Sequence, residues 1–189
     1  MKLWTIQKSE VLDILERDGA YRTNTKLCEN AELLDAYDWL NTYLEEKDAK
    51  PEDVDYPIWA WYRHNSKEKK PDLRRAEYDA PGTKCVCLEL EVPDEKVLLS
   101  DYDNWHAVLN QWWLDDSKNE EEWDKLHEWY DRLPLEERKT LMEKSWEKIF
   151  DIELREDITN WNSNGEYVQA VFWELKKEYV KKVQYFTAR

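Results

Sequence analysis

Alternation of apolar and polar residues predicts β-strands spread over the whole chain. In CVCLELEV (85–92) the even-numbered positions are apolar while Glu89 and Glu91 are polar, which is the period of a half-buried strand. PIWAWY (57–62) and YVQAVFWEL (167–175) are apolar on both faces, as in a strand inside a sheet. Further strands are predicted at LWTIQ (3–7), VLLS (97–100) and VQYFT (183–187).

Helical spacing of apolar residues predicts helices between these strands. One helix is predicted from an N-cap at Ser9 to Gly19, and a second begins after Asn30. Three more fill residues 104–150, the first capped by Asp103 and including Trp112. The order of elements predicts an α+β fold with a small split sheet, mixed or antiparallel, in a single domain over residues 1–189. The tryptophan-rich block at about 104–150 is then a helical insertion between sheet strands.

Composition narrows the classes of function. A net charge of −15 argues against general binding to duplex nucleic acid or to an anionic membrane. Only three glycines are present, which argues against the glycine-rich phosphate loops of common nucleotide-binding folds. No apolar run is long enough for a membrane span, and the N-terminus has no apolar core of a signal peptide. We therefore expect a cytoplasmic protein without a membrane partner.

Candidate metal ligands are few and scattered. The three cysteines, Cys28, Cys85 and Cys87, are expected to be reduced, and ordinary packing is their expected role. No metal site is predicted. Asp101, Asp103 and His106 in SDYDNWH (100–106) offer acid–base or hard-cation chemistry, although a helix cap and turn carboxylates explain the two aspartates as well.

One segment carries positive charge in this acidic chain. Between Arg63 and Arg75 there are six Lys or Arg residues against two acids. Such a segment is either a solvated loop or a phosphate site, in which Arg74 and Arg75 are favoured over lysines because guanidinium binds phosphate bidentately. Trp59 or Trp61 would then stack a base, as in proteins that bind single-stranded nucleic acid.

Several phrases resemble a family of bacterial and phage proteins that is named only as a domain of unknown function. They include MKLWTIQ, YPIWAWY, CLELEVPDEKVLLSDYDNWHAVLN and VQAVFWEL, and they span nearly the whole chain. The resemblance implies membership and no activity.

The order of strands and helices also resembles, more distantly, the ADP-ribosyltransferase fold, in which NAD lies in a cleft between two small sheets. That resemblance implies an Arg or His on the first strand, a Ser, Thr or Tyr on a middle strand, and a catalytic glutamate at the start of a later strand. LWTIQ contains no Arg or His, which departs from this pattern. The matching positions are Thr5 or Gln7, then Trp59, Trp61 or Tyr62, and finally Gln169. An amide at the last position supplies no full negative charge to an oxocarbenium-like ribose, so glycosyl-transfer activity is left open.

The expected function is therefore binding of NAD or a related nucleotide, with phosphates near Arg63, Arg74 or Arg75 and the ribose near Gln169. The alternative is an acidic, non-enzymatic interaction or inhibitor protein that docks on a basic protein partner. A second alternative is binding of single-stranded nucleic acid through the aromatic and basic segment.

Overall fold

The computed structural model of the chain describes residues 1–23, 31–76, 78–155 and 165–189. The chain divides into two compact units, Met1–Leu99 with Gln169–Arg189 and Ser100–Val168. Helices and a mostly antiparallel sheet are both present, so the predicted α+β class is confirmed. Within the described residues, no helix has the length and apolar character needed to cross a lipid bilayer.

The secondary structure extends over both units. The described strands are β1 (Lys2–Lys8), β2 (Ala20–Tyr21), β3 (Ile58–Arg63), β4 (Lys84–Glu91), β5 (Leu98–Asp101), β6 (Val168–Phe172), β7 (Leu175–Lys176) and β8 (Val180–Thr187). The described helices are α1 (Val11–Asp18), α2 (Ala31–Glu45), α3 (Tyr102–Leu109), α4 (Glu120–Asp131) and α5 (Leu135–Ser145).

Six strands form the main sheet in the order β5-β6-β3-β1-β4-β8, and β2 pairs with β7 in a separate two-stranded sheet. The pairs β1–β3, β1–β4 and β4–β8 are antiparallel. Strand β3 lies inside the sheet, as the two apolar faces of PIWAWY predict. Strand β8 forms one edge.

One face of the sheet carries the core of the first unit. Leu3 pairs with Leu90, and paired residues of antiparallel strands point to the same face. Both side chains are fully buried and belong to one apolar cluster with Val11 and Leu15 of α1. We call this side the core face and the opposite side the outward face.

Helix α1 begins one residue later than the sequence predicts. Glu10 precedes its first turn, and no side chain makes a capping hydrogen bond. The predicted cap at Ser9 is wrong because Ser9 still belongs to the strand edge, where its N–H donates to Lys84 O at 2.9 Å. Gly19 ends the helix as predicted, with a φ of 77° that glycine adopts without steric cost.

Helix α2 packs through Leu40 and Leu44, which are fully buried. The ring of Tyr37 on this helix meets the ring of Trp59 edge-on at 6.2 Å. Trp59 alternates with core-face residues on β3, so α2 contacts the outward face of that strand. The predicted cap of this helix, Asn30, lies outside the described residues.

Helix α3 in the second unit is capped by Asp101, whose carboxylate accepts a hydrogen bond from Asn104 N at 2.9 Å. The predicted cap at Asp103 is wrong, because Asp103 lies within the first turn. The helix also ends at Leu109, and Gln111 with a φ of 53° turns the chain before Trp112. Trp112 is therefore not part of the helix that its spacing predicts.

Strand β6 is shorter than the apolar run YVQAVFWEL predicts. It ends at Phe172, and Leu175–Lys176 then pair with Ala20–Tyr21 in the small sheet. Trp173 lies between the two strands and is fully buried, with its Nε1 donating to Asp48 O at 2.8 Å. The run is apolar on both faces because β6 lies between β5 and β3, where Ala170 and Val171 on its opposite faces are both fully buried.

Candidate functional site

Charged and aromatic side chains occupy the outward face of β1, β4 and β8. Trp4 pairs with Glu89, and Glu89 pairs with Lys182 on β8, so these three side chains are neighbours. Lys2 Nζ lies 2.9 Å from Glu89 Oε1, and Trp4 Nε1 donates to Glu89 Oε2 at 3.3 Å. These bonds, that from Lys2 above all, hold the pKa of Glu89 below its ordinary value.

The basic segment that follows β3 begins with a tight hairpin. His64 N donates to Lys67 O at 2.8 Å. The two residues between them, Asn65 and Ser66, have φ of 53° and 59°. Two consecutive residues with positive φ are typical of a type I′ turn, and asparagine tolerates this conformation better than most residues. The turn reverses the chain, so the lysines that follow, Lys69 and Lys70, return over the outward face.

Residues 68–76 and 78–79 lie over the outward face, and we call them the covering loop. Lys70 Nζ donates to Gln184 Oε1 on β8. The ring of Tyr78 meets the ring of Phe186 edge-on, with centroids 6.1 Å apart. The loop leaves two cavities against the sheet.

The first cavity has a volume of about 280 Å³, and we call it the lysine cavity. Its apolar wall includes Trp4, and three lysines line it, namely Lys69, Lys70 and Lys182. Two carboxylates, Glu68 and Glu89, also line it. The cavity is therefore slightly positive in a chain whose net charge is −15.

The second cavity has a volume of about 270 Å³, and we call it the Gln7 cavity. Its lining includes Gln7, Tyr21, Tyr78 and Asp79. Burial, with a smaller contribution from the nearby Glu10, raises the pKa of the Tyr21 hydroxyl. The Gln7 cavity offers amide and phenol groups, whereas the lysine cavity offers ammonium groups.

Two buried thiols connect the cavities along β4. Cys87 lines the lysine cavity and Cys85 lines the Gln7 cavity, and both lie on the outward face two residues apart. Burial, partly offset by Lys70, raises the pKa of the Cys87 thiol to about 11. The two cavities are thus neighbours along β4: the lysine cavity lies on the outward face, and the Gln7 cavity lies at the strand end, where residues of both faces line it.

Thr5 and Gln7 lie on the core face of β1, with the Thr5 side chain fully buried. Thr5 Oγ1 donates to Trp59 O at 2.7 Å and accepts from Gln7 Nε2 at 2.8 Å. The hydroxyl of Thr5 therefore connects β1 to β3. Of these two predicted site residues, Gln7 reaches a cavity and Thr5 acts within the sheet.

Trp59, Trp61 and Arg63 alternate on the outward face of β3, whereas Tyr62 has the parity of the core face. The ring of Trp61 meets the ring of His64 edge-on at 5.3 Å. The Arg63 guanidinium lies 5.7 Å from the ring centroid of Tyr62. Trp59 contacts α2 as described above. None of these four side chains lines the lysine cavity. The aromatic residue that does so is Trp4.

The Tyr62 hydroxyl donates to Glu68 Oε1 at 2.8 Å. This hydrogen bond, together with burial, raises the pKa of Tyr62. Tyr62 therefore helps to fix Glu68, which is the first residue of the covering loop and lines the lysine cavity.

Arg74 binds a carboxylate within its own loop. Its Nη2 lies 2.6 Å from Asp72 Oδ2, and its Nε donates to Asp72 Oδ1 at 2.8 Å. These hydrogen bonds hold the pKa of Asp72 well below its usual range. Arg74 and Arg75 are both exposed, and the cationic groups that line the cavity from this loop are Lys69 and Lys70.

Gln169 lies on β6 and alternates with Ala170 and Phe172 of the core cluster, so it belongs to the outward face. Glu174, the next carboxylate along the chain, contacts Arg22, whose Nε donates to Glu174 Oε1 at 2.6 Å. That carboxylate is therefore engaged in an ion pair beside the small sheet.

The acidic segment SDYDNWH of the second unit is organised for helix capping. Asp101 accepts from Asn104 N, as described above, and His106 Nδ1 lies 2.8 Å from Tyr102 O. Across the described part of the chain, no group of three or more His, Cys, Asp or Glu side chains is arranged to hold a metal ion.

Three residues of the lysine cavity are not predicted as site residues from the sequence. They are Trp4, Lys70 and Lys182. Their proximity follows from the pairing of β4 with both β1 and β8, which places Trp4 and Lys182 on either side of Glu89, and from the contact of Lys70 with Gln184. The sequence feature that could have indicated Lys182 is YVKKVQYF (179–186), in which lysines stand at the start of a strand, as is common on the edge of a sheet.

Comparison with family models gives one result that covers most of the chain. The family described as Domain of unknown function (DUF3841) matches residues 2–181. Searches of curated proteins and of solved structures give no match.

Proposed function

Since the chain belongs to the DUF3841 family, a domain of unknown function, we propose its function from the outward face of its sheet. The protein binds a phosphate-bearing nucleotide of the NAD class in the lysine cavity and the Gln7 cavity, beside the covering loop. The observation that carries the proposal is the convergence of Lys69, Lys70 and Lys182 on one cavity of a strongly acidic chain.

The charge of the cavity supports a phosphate as the bound group. A phosphate about 4 Å from one ammonium gains about 1 kcal/mol in water, and several such contacts add to a useful affinity. Lysine binds phosphate as a point charge and needs no fixed fork geometry. The rest of the chain is strongly acidic and repels anions, so a diphosphate is expected to bind in the lysine cavity.

The two neighbouring cavities support a ligand longer than a mononucleotide. Each is close to the lower end of the volume range of about 300–1,000 Å³ that is usual for small-molecule sites. A dinucleotide spans both: its diphosphate lies near Lys70 and Lys182, and a ribose with its base contacts Gln7 and Tyr21.

The sheet order supports the NAD class in particular. The resemblance to ADP-ribosyltransferases assigns ligand contacts to β1, β3 and β6, which are adjacent in the main sheet, and β1 is the strand of these three that lines both cavities. The proposal covers binding and omits glycosyl transfer, because Gln169 offers an amide where that chemistry uses a carboxylate. Gln169 lines neither cavity, so a contact between Gln169 and the ribose stays an expectation of the resemblance.

A titration of the full chain with NAD, ADP-ribose and AMP tests the proposal, with tryptophan fluorescence and calorimetry as readouts. We expect NAD and ADP-ribose to bind more tightly than AMP, and binding to weaken as salt rises because the contacts are ionic. A short single-stranded oligonucleotide is the competing ligand. Preference for the oligonucleotide, or no heat and no fluorescence change with NAD at millimolar concentration, overturns the proposal.

A further inference from the structure

Two tryptophans of α4 expose much of their surface in the second unit. Trp123 is 40% exposed and Trp129 is 47% exposed. Indole buries a large apolar area when it is covered, and grouped apolar exposure marks interaction sites. Tryptophan is also the residue type most enriched among the residues that dominate binding energy.

Both exposed rings belong to one aromatic cluster. Trp123 stacks on His127 at 4.0 Å, and Trp129 lies 6.1 Å from Trp113. Trp113 in turn stacks on Tyr130, with centroids 4.5 Å apart and an angle of 10° between the rings. These contacts restrict the exposed rings, and a restricted side chain loses less conformational entropy on binding.

A buried carboxylate fixes the position of His127 within the cluster. His127 Nε2 lies 3.0 Å from Asp115 Oδ2. Asp115 is 8% exposed, and its Oδ1 accepts from Ser117 N at 2.8 Å. The hydrogen bond to Asp115 therefore fixes the imidazole ring on which Trp123 stacks.

The cluster lies in the most acidic part of the second unit. Residues 115–131 contain eight carboxylates and two lysines. One of the lysines, Lys125, forms an ion pair with Glu121 at 2.6 Å. Three cations outside this range also pair with its carboxylates: Lys148 with Asp116, Arg132 with Glu128 and Arg138 with Asp131. The eight carboxylates still exceed these five cations by three, so a ligand that reaches the exposed indoles meets an excess of negative charge.

We propose that Trp123 and Trp129, with the carboxylates of residues 115–131, form a docking surface for an arginine- and lysine-rich segment of another protein. Guanidinium groups lie over the indole faces, where cation–π attraction is favourable, and bond to neighbouring carboxylates. Charge selects this occupant: a nucleic acid is repelled, and a second copy of a chain with net charge −15 is repelled as well. The surface belongs to the second unit and is independent of nucleotide binding.

Hexa-arginine is the probe, titrated calorimetrically into the full chain at low and high salt, with hexaglutamate and a short oligonucleotide as comparison ligands. We expect hexa-arginine alone to bind, and Trp123→Ala with Trp129→Ala to weaken binding at least tenfold. The matched control is Leu135→Ala, which removes an apolar side chain that is 70% exposed on α5. It leaves the affinity unchanged.

Equal binding by the double tryptophan variant and the wild type overturns the proposal, since charge alone then explains the association. Sedimentation that shows a wild-type dimer, dissociated by the tryptophan substitutions, also overturns it by naming a second copy as the occupant. A measurement on the wild type avoids any folding defect of the variants. Hexa-arginine slows oxidation of Trp123 and Trp129 by N-bromosuccinimide, and unchanged oxidation of these residues refutes the docking surface.

Discussion

Replacing Thr5 with valine tests whether its hydroxyl holds β1 against β3. Valine has nearly the same shape as threonine, so Thr5→Val leaves no cavity and removes only the polar group. The buried hydroxyl donates to Trp59 O at 2.7 Å and accepts from Gln7 Nε2 at 2.8 Å. Gln7 is half-buried, so its amide reaches water more readily than the Trp59 carbonyl does once the hydroxyl is lost.

Each intramolecular hydrogen bond contributes about 0.5–1.5 kcal/mol net, and Thr5→Val removes two of them. We therefore expect Thr5→Val to lower the free energy of unfolding of the first unit by about 1.5 kcal/mol. For a chain of this length the corresponding fall in the melting temperature is about 3–6 °C. Urea unfolding, followed by circular dichroism in the β-sheet region, measures the change.

A double-mutant cycle with Gln7→Met isolates the side-chain contact. We expect a coupling of about 0.5–1 kcal/mol between the two substitutions, because both remove the same hydrogen bond. Valine is more apolar than threonine, so the Thr5→Val variant would be more stable than the wild type if the hydroxyl made no hydrogen bonds. A Thr5→Val protein that is as stable as the wild type, with no coupling to Gln7→Met, refutes the reasoning.

Three further predictions concern thiol, carboxylate and capping groups. Iodoacetamide at pH 7.5 labels Cys87 slowly in the folded protein and rapidly in urea, because burial raises its pKa to about 11; fast native labelling, read by mass spectrometry, contradicts this. Burial raises the pKa of Asp115, but hydrogen bonds from Ser117 and then His127 outweigh it and leave the pKa lowered, so its stabilisation is present above pH 4 and is lost as the pH falls further. Asp115→Asn removes this pH dependence in acid-unfolding curves, and identical curves below pH 4 refute it. Asp101→Ala destabilises the second unit by about 1 kcal/mol or more through loss of the α3 cap, whereas Asp103→Ala changes the urea midpoint little.

The hydrophobic pattern predicts the strands well where one face is buried. CVCLELEV lies on β4 almost as predicted, and Leu88 and Leu90 face the core because alternation records burial directly. The final strand extends three residues further toward its N-terminus than VQYFT predicts. Its first half carries Lys181 and Lys182, and charged residues on an edge strand weaken the apolar signal.

The candidate site depends on strand pairing, which local patterns do not contain. The sequence indicates a positive segment after β3 and favours Arg74 by its chemistry, but the bond between Arg74 and Asp72 depends on how the loop folds. Trp4 carries no local signal that distinguishes it from Trp59 and Trp61. Only the register of β1, β4 and β8 brings it beside Lys182.

The most direct test of the nucleotide proposal compares two double variants of the full chain by NAD titration. Lys70→Ala with Lys182→Ala removes two cavity ammoniums, each worth about 1 kcal/mol to a phosphate, so we expect about 30-fold weaker binding. Arg74→Ala with Arg75→Ala removes the same charge from the same region. Because Arg74 binds Asp72 and neither arginine lines the cavity, we expect a less than threefold change. Equal losses in the two variants, or a loss confined to the arginine variant, contradict the lysine cavity as the phosphate site.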